Sequence, residues 1–167
     1  MGMGLDGRGD REGAKRGALT GTNPTDRAKR GSKRHVAIDG RGVPIGVTIS
    51  AANLHDSRAA LPTIDSVKQY APSHRQRPEH CCLDKAYDSA DIERGLKQRG
   101  IAPHIRHRGE ESRSCRRGKP RRWKVERTNS WHNRYRALLI RWDVKPAHYR
   151  ALVLLASALI AFRVALW

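Results

Sequence analysis

The sequence predicts an α/β fold, in which a mixed sheet is flanked by helices. Residues 33–38 and 43–50 are apolar stretches separated by a turn, and they predict a β-hairpin. A short apolar strand at residues 80–83 is followed by a helix at 90–99 and a strand at 101–106. This alternation favours a sheet covered by helices.

The first part of the chain carries few ordered elements. Residues 1–30 are rich in glycine and charge, so we expect most of them to be extended or disordered, with a first strand that is truncated or poorly formed. The hairpin comes next, and its turn is Asp39-Gly40-Arg41-Gly42. Residues 58–70 then predict a helix with an apolar inner stripe, formed by Ala60, Leu61, Ile64 and Val67.

The central strand at residues 80–83 ends at an acid, Asp84, and leads into a helix for which Ser89 is a candidate N-cap. Loops are predicted on either side of this unit, at residues 71–79 and 107–120, which are basic and lack periodicity. A carboxylate directly after a central strand lies where α/β sheets build their sites. Asp84 is therefore the first candidate functional residue.

An apolar helix is predicted at residues 147–164. Its apolar run, 151–162, is shorter than the roughly 20 residues that span a bilayer, so we expect a buried helix. The residues expected to face the core are Leu152, Leu155, Leu159 and Phe162.

Cysteine spacing and the N-terminus indicate the compartment. The three cysteines lack metal-ligand spacing, and one of the adjacent pair Cys81 and Cys82 is expected in the core. Residues 1–16 lack the apolar segment of a signal peptide. These observations favour the cytoplasm.

The charge balance indicates the class of partner. The chain has 34 Lys and Arg against 16 Asp and Glu, which gives a net charge of +18. Such an excess favours a polyanion, because each neutralised phosphate releases counterions. Ribosomal and nucleoid proteins share this composition, but basic residues spread along the chain favour a phosphate backbone over a lipid surface.

The best partner for Asp84 is Glu126, in a helix predicted around residues 121–134. The helix, strand and loop between the two acids give enough chain to bring a strand end and a helix face together. Each acid also has an ordinary interpretation. Asp84 is then a solvated acid at a helix start, and Glu126 is half of a surface ion pair.

The two acidic segments resemble the second and third acidic motifs of the DDE transposases of bacterial insertion sequences, in the insertion-sequence-five group. The first is Leu83-Asp84-Lys85-Ala86-Tyr87-Asp88-Ser89, and the second is Val125-Glu126-Arg127 with residues 129–135 after it. Residues 19–35 and 52–58 match two further segments of the family. All four stand in the family's order.

The resemblance implies an RNase H-like catalytic domain at residues 31–167, after the glycine-rich segment 1–30. It also implies a site for Mg²⁺, with Mn²⁺ as a substitute, held by three catalytic carboxylates. Asp84 and Glu126 match two of them, and Asp6 is the better match for the third, ahead of Asp10. The family's helical N-terminal DNA-binding region has no counterpart here, so the chain resembles the downstream part of a transposase.

Basic residues near the motifs are the predicted DNA contacts. Arg122 matches a basic residue ahead of the family's glutamate. Asn133 stands where the family has a lysine, so Arg134 or Arg136 is expected to supply that charge. The full predicted set is Lys33, Arg34, Arg122, Arg127, Arg134 and Arg136.

Two other features have alternative interpretations. Trp123 and Trp131 either stack on a flipped base or pack in the core, and the core is more common for aromatic residues at helical spacing. His55-Asp56 matches a family segment without being a standard metal ligand, and we interpret it as structural or as a support for the metal ligands.

The leading hypothesis is a transposase catalytic domain, which cleaves and transfers DNA strands in the transposition of an insertion sequence. The alternative is a DNA-binding remnant with an incomplete metal site. A basic RNA-associated structural protein fits the charge but not the four motifs. The expected partners are double-stranded DNA (element ends and target) and either a second copy or an upstream-frame transposase product, at the nucleoid.

Overall fold

The computed structural model describes residues 2–4, 17–24, 27–70, 78–105 and 122–166, and they form an α/β fold, as predicted. The strands are β1 (Gly2–Gly4), β2 (Gly21–Thr22), β3 (Arg30–Ile38), β4 (Pro44–Ala51), β5 (His80–Leu83) and β6 (Ala102–Ile105). The helices are α1 (Ser57–Tyr70), α2 (Ala90–Gln98), α3 (Arg122–Asn133), α4 (Arg136–Leu139) and α5 (Pro146–Ala165), with a 3₁₀ turn at Lys85–Tyr87.

The sheet is mixed, with the order β4-β3-β1-β5-β6 and with β2 paired to the start of β3. β1 is antiparallel to β3 on one side and parallel to β5 on the other. β5 and β6 are also parallel. β1 is described over three residues, and it occupies a central position in the sheet.

The β3–β4 hairpin has its predicted turn. Asp39 Oδ1 accepts hydrogen bonds from the backbone N–H groups of Arg41 and Val43, both at 2.8 Å, which is the side-chain turn typical of aspartate. Gly42 has a φ of +88°, and a Cβ there would lie 2.7 Å from the Arg127 guanidinium. The positive φ therefore favours glycine at residue 42.

Alternating residues of β3 pack against the two helical layers. Ala37 joins the larger core, in which α1, α2 and the 3₁₀ turn cover one face. Cys81 belongs to this core, as predicted, and burial raises the pKa of its thiol to about 12. Val36 and Ile38 point to the other face, where they contact Val125 of α3.

α5 covers β4 on the same face as α3, but its inner side is not the predicted one. Leu155, Leu159 and Phe162 are exposed and Leu152 is half-buried, so the prediction that they face the core is wrong. The helix is apolar on all sides, and periodicity could not identify its inner side. The buried residues are Tyr149, Val153, Ala156, Ser157 and Ile160.

Within the described residues, α5 is also the one helix that is long and apolar enough to cross a membrane, with 20 residues. Length and composition are weak evidence, because a core helix of a soluble protein passes the same test. α5 contacts β4, α3 and α4 through its buried side.

Arg141 joins the segment before α5 to the start of the chain and to the sheet, and only 3% of it is exposed. Nη1 donates to Ser32 Oγ at 2.5 Å and to the Leu19 carbonyl at 3.4 Å. The other N–H groups donate to the carbonyls of Ala18, Asp143 and Val144. All five guanidinium donors are thus used, and burial lowers the pKa of Arg141 from its ordinary value.

Two histidines are almost completely buried, each with 1% exposed. His35 Nε2 lies 2.7 Å from Ser50 Oγ, and His132 Nε2 lies 3.0 Å from Ser157 Oγ. Burial lowers the pKa of each histidine to about 4, so both are neutral in the fold at neutral pH.

Replacing Arg141 by lysine should destabilise the fold by about 2–4 kcal/mol. Lysine has three donors in place of five, so at least two charge-assisted bonds are lost and buried carbonyls are left unpaired. Urea unfolding measures the loss. The exposed Arg136→Lys is the matched control and should stay within about 0.5 kcal/mol of the parent. Equal stability of both variants would mean that the Arg141 network contributes nothing.

Acid should destabilise the fold through the two buried histidines. The pKa of each histidine is lower in the folded chain than in the unfolded chain, so protonation favours unfolding. The free energy of unfolding is therefore highest above about pH 6.5 and decreases as the pH falls toward 4. The loss should reach about 3 kcal/mol per histidine at pH 4. His132→Gln should flatten the dependence of unfolding free energy on pH, whereas the exposed His148→Gln should leave it unchanged. Identical slopes for both variants would contradict the assignment.

Candidate active site

Asp84 directly follows β5, at the carboxyl end of the strand. Its side chain accepts a hydrogen bond from the backbone N–H of Lys85 at 2.7 Å and so caps the 3₁₀ turn. The backbone of Asp84 is still extended, with φ −74° and ψ 162°, so the alternation of the strand continues. Since Cys81 and Leu83 point into the α1–α2 core, alternation directs Asp84 toward the opposite face, which carries α3.

Glu126 lies in the second turn of α3, next to the buried Val125. The inner side of the helix is formed by Val125, Thr128 and His132, whose spacing places them on one face. Glu126 is exposed. α3 packs on β1, the neighbour of the strand that ends at Asp84.

Glycines in β1 allow this close packing. Gly2 and Gly4 pair directly with Ile38 and Val36, whose side chains point to the α3 face. Paired residues of antiparallel strands share a face, so β1 presents no side chain to α3 at either glycine. The helix that carries Glu126 can therefore approach the backbone of β1, which is the neighbour of β5, the strand that ends at Asp84.

The described residues do not by themselves complete a metal site. Among them, no group of three or more His, Cys, Asp and Glu side chains is arranged to hold a metal ion. The predicted third ligand, Asp6, lies outside the described residues. The three-carboxylate site of Asp84, Glu126 and Asp6 stays a prediction.

A second polar group lies at the edge of the sheet where Asp84 is found. Lys33 Nζ contacts Asp56 Oδ1 at 3.0 Å and the Leu54 carbonyl at 3.1 Å. Tyr87 is buried beside it, and its pKa is raised by burial and, to a lesser extent, by the charges of Asp56 and Asp84. These contacts give Asp56 a partner within the protein, in line with the structural role predicted for it.

Sequence reasoning assigned no role to Tyr87. The residue lies three positions after Asp84, at the end of the 3₁₀ turn, and its side chain packs in the core that α1 and α2 cover. An aromatic residue at that spacing after a strand-end acid could have indicated a buried anchor for the turn.

Comparison with known proteins decides the family. The family model described as transposase DDE domain matches residues 4–161, which include Asp6, Asp84 and Glu126. The chain belongs to the transposase DDE domain family. It is also 38% identical over 146 residues to the putative transposase for insertion sequence element IS402 of Burkholderia cepacia, over 86% of this chain and 68% of that protein. No solved structure matches.

Three of the predicted DNA contacts of this transposase DDE domain are engaged within the protein. Lys33 is the partner of Asp56. Arg34 donates from Nη2 to Asn133 Oδ1 at 2.9 Å, which ties β3 to the end of α3. Arg127 donates to the Arg41 carbonyl in the hairpin turn.

Arg127 also lies between two tryptophans. Its guanidinium is 4.7 Å from the ring centres of both Trp123 and Trp131, one turn of α3 before it and one turn after. Trp123 is 44% exposed, so the core interpretation is wrong for it, whereas Trp131 is half-buried. The two rings hold an arginine on the surface of the helix.

The other predicted contacts are more accessible. Arg134, just after α3, and Arg136, the first residue of α4, are both exposed. Arg122 is the first residue of α3, and its side chain lies outside the description. Among the predicted DNA contacts that the structure describes, Arg134 and Arg136 are therefore the two that best suit a phosphate backbone.

Proposed function

We propose that this chain is the catalytic domain of an insertion-sequence transposase, with an RNase H-like sheet that supports metal-dependent cleavage and transfer of DNA strands. The observation that carries the proposal is the placement of two family acids. Asp84 ends the strand parallel to β1, and Glu126 is on the helix that packs on β1. The carboxyl end of β5, where Asp84 lies, is the edge at which α/β sheets build their sites.

The donor chemistry suits Mg²⁺, or Mn²⁺ in its place. Asp84 and Glu126 offer exposed carboxylate oxygens, and Mg²⁺ prefers carboxylates while keeping several waters. These two residues would hold the metal, with Asp6 as the third ligand. When bound, the metal supplies Lewis-acid activation of the attacking hydroxyl or water.

The protein itself positions these acids. The 3₁₀ turn fixes the backbone at Asp84, and the buried Tyr87 anchors that turn in the core. α3 is fastened to the hairpin turn by Thr128, whose Oγ1 donates to the Gly42 carbonyl at 2.6 Å. A site carried by packed elements holds its geometry without reorganising, as strand transfer requires.

DNA would meet the basic surface around Arg134 and Arg136, in the cytoplasm at the nucleoid. The net charge of +18 supports tight, sequence-independent contact with phosphates. The element ends and the target would both be double-stranded DNA, and a second copy or an upstream-frame product would complete the assembly.

A DNA-binding remnant is the second candidate. Such a protein would keep the basic surface and bind DNA without cutting it.

Metal binding separates the two candidates. Mg²⁺ or Mn²⁺ should stabilise the parent against thermal unfolding, by about 1.4 kcal/mol at ten times its dissociation constant. Asp84→Asn and Glu126→Gln should each lose most of this gain. Asp91→Asn removes an exposed acid from α2 and should retain it. Differential scanning calorimetry with and without metal gives the comparison.

Cleavage of DNA that carries the element ends completes this test. A metal-linked gain that depends on Asp84, together with strand cleavage, supports the transposase. No gain in the parent, or an equal gain in Asp84→Asn, would reject the proposed metal site. Metal binding without cleavage would favour the remnant.

The DNA surface makes a separate prediction. The Arg134→Gln and Arg136→Gln double variant should reduce the slope of log affinity against log salt by about 2, because two phosphate contacts are lost. Arg94→Gln lies on α2, in the other helical layer, and should leave the slope unchanged. Fluorescence anisotropy with a labelled duplex measures both. A reduced slope only in Arg94→Gln would place the DNA on the opposite face.

A further inference from the structure

α5 uses one side for the core, and no element among the described residues covers its opposite side. Its buried residues fill the space over β4, and Ser157 bonds with the buried His132. The exposed side is apolar as well, although solvent surrounds it. We call this side the outer seam. Its exposed residues are Ala151, Leu155, Ala158, Leu159, Phe162, Ala165 and Leu166, and the half-buried Leu152 lies at its border with the core.

The outer seam has a period of seven residues. The dipeptide Ala-Leu recurs at 151–152, 158–159 and 165–166, and the pair Leu155 and Phe162 has the same separation. The large side chains are therefore spaced alternately three and four residues apart. This is the spacing at which one helix packs knobs into the holes of another. The recurrent alanines flank the row and allow a neighbouring helix to approach closely.

The degree of exposure is unusual for large apolar side chains. Leu155 is 59% exposed, Leu159 43%, Phe162 62% and Leu166 68%. At roughly 100 Å² for each large side chain, the outer seam presents about 400–500 Å² of apolar surface. Contiguous patches of that size on a monomer often mark an interaction site.

The regular repeat favours a helix over lipid as the occupant. A lipid-facing surface needs apolar character but no fixed spacing, because acyl chains have no knobs or holes to match. α5 is also held against the sheet through Val153, Ala156 and Ile160, so it presents one narrow row rather than a free cylinder.

We propose that the outer seam of α5 pairs with the same seam of a second copy of this chain. A repeat of seven residues is self-complementary, and a twofold axis across it brings identical rows into contact, as in most homodimers. The two copies together would bury about 800–1,000 Å², which is below the usual range of stable interfaces. The dimer is therefore weak and depends on concentration.

Charge gives this pairing a distinctive salt dependence. Each copy carries +18, so added salt screens the repulsion between copies and strengthens their association. Binding to DNA weakens with salt, because fewer counterions are released. Dimerisation and DNA binding should therefore respond to salt in opposite directions. A negative result for one of them does not prevent a test of the other.

Sedimentation equilibrium of the full chain at high salt tests the proposal. The parent should pass from monomer to dimer as its concentration rises. Leu155→Glu and Leu159→Glu should each weaken the association by at least about 30-fold, as expected for central interface residues. Ala147→Glu makes the same change of charge on α5, outside the outer seam, and should associate like the parent. Urea unfolding should show all variants folded, since the substituted side chains are exposed.

The opposite results are equally clear. A parent that is monomeric at every concentration would overturn the proposal, and so would equal association of Leu155→Glu and Ala147→Glu. Binding of the parent to vesicles of neutral phosphatidylcholine, lost in Leu155→Glu, would assign the outer seam to lipid and also overturn it.

Discussion

Three residues of main chain, Gly2–Gly4, hold the two halves of the sheet together. β1 joins the β3–β4 hairpin on one edge to the parallel β5–β6 pair on the other. Its glycines leave space on one face, and α3 occupies that space. Without this strand, the helix that carries Glu126 and the strand that ends at Asp84 would share no neighbour in the sheet. The short strand is therefore the constraint on which the candidate site depends.

The packing of the two layers uses much of the positive charge that composition would assign to DNA. Arg141 is enclosed by carbonyls, Arg127 by two tryptophans and a carbonyl, and Lys33 by Asp56. A buried or sandwiched guanidinium suits such positions because its planar fork makes several bonds at once. A net charge of +18 thus overstates the charge available to phosphate, and exposed residues such as Arg134 are the proposed contacts with DNA.

Local chemistry made much of the fold predictable. The hairpin turn follows from Asp39 and Gly42, and β5 lies at residues 80–83 as predicted, because an apolar run ends there at an acid. The orientation of α5 was not predictable, since its buried side is partly small and polar and its exposed side is leucine-rich. Asp84 and Glu126 could be proposed from motif and strand position, but the burial of Arg141 depends on tertiary contacts that no local pattern shows.

The rigidity of α3 links the fold to the proposed chemistry. Lys124, Arg127 and Thr128 each bond a carbonyl of the hairpin turn, while Val125 packs between them in the core. Moving Glu126 would break these contacts together, so its position is set by the hairpin rather than by the helix alone. Asp84 is held differently, by a 3₁₀ turn anchored at Tyr87. Two acids fixed by independent parts of the core can meet a ligand at constant separation, which is the condition for preorganised catalysis.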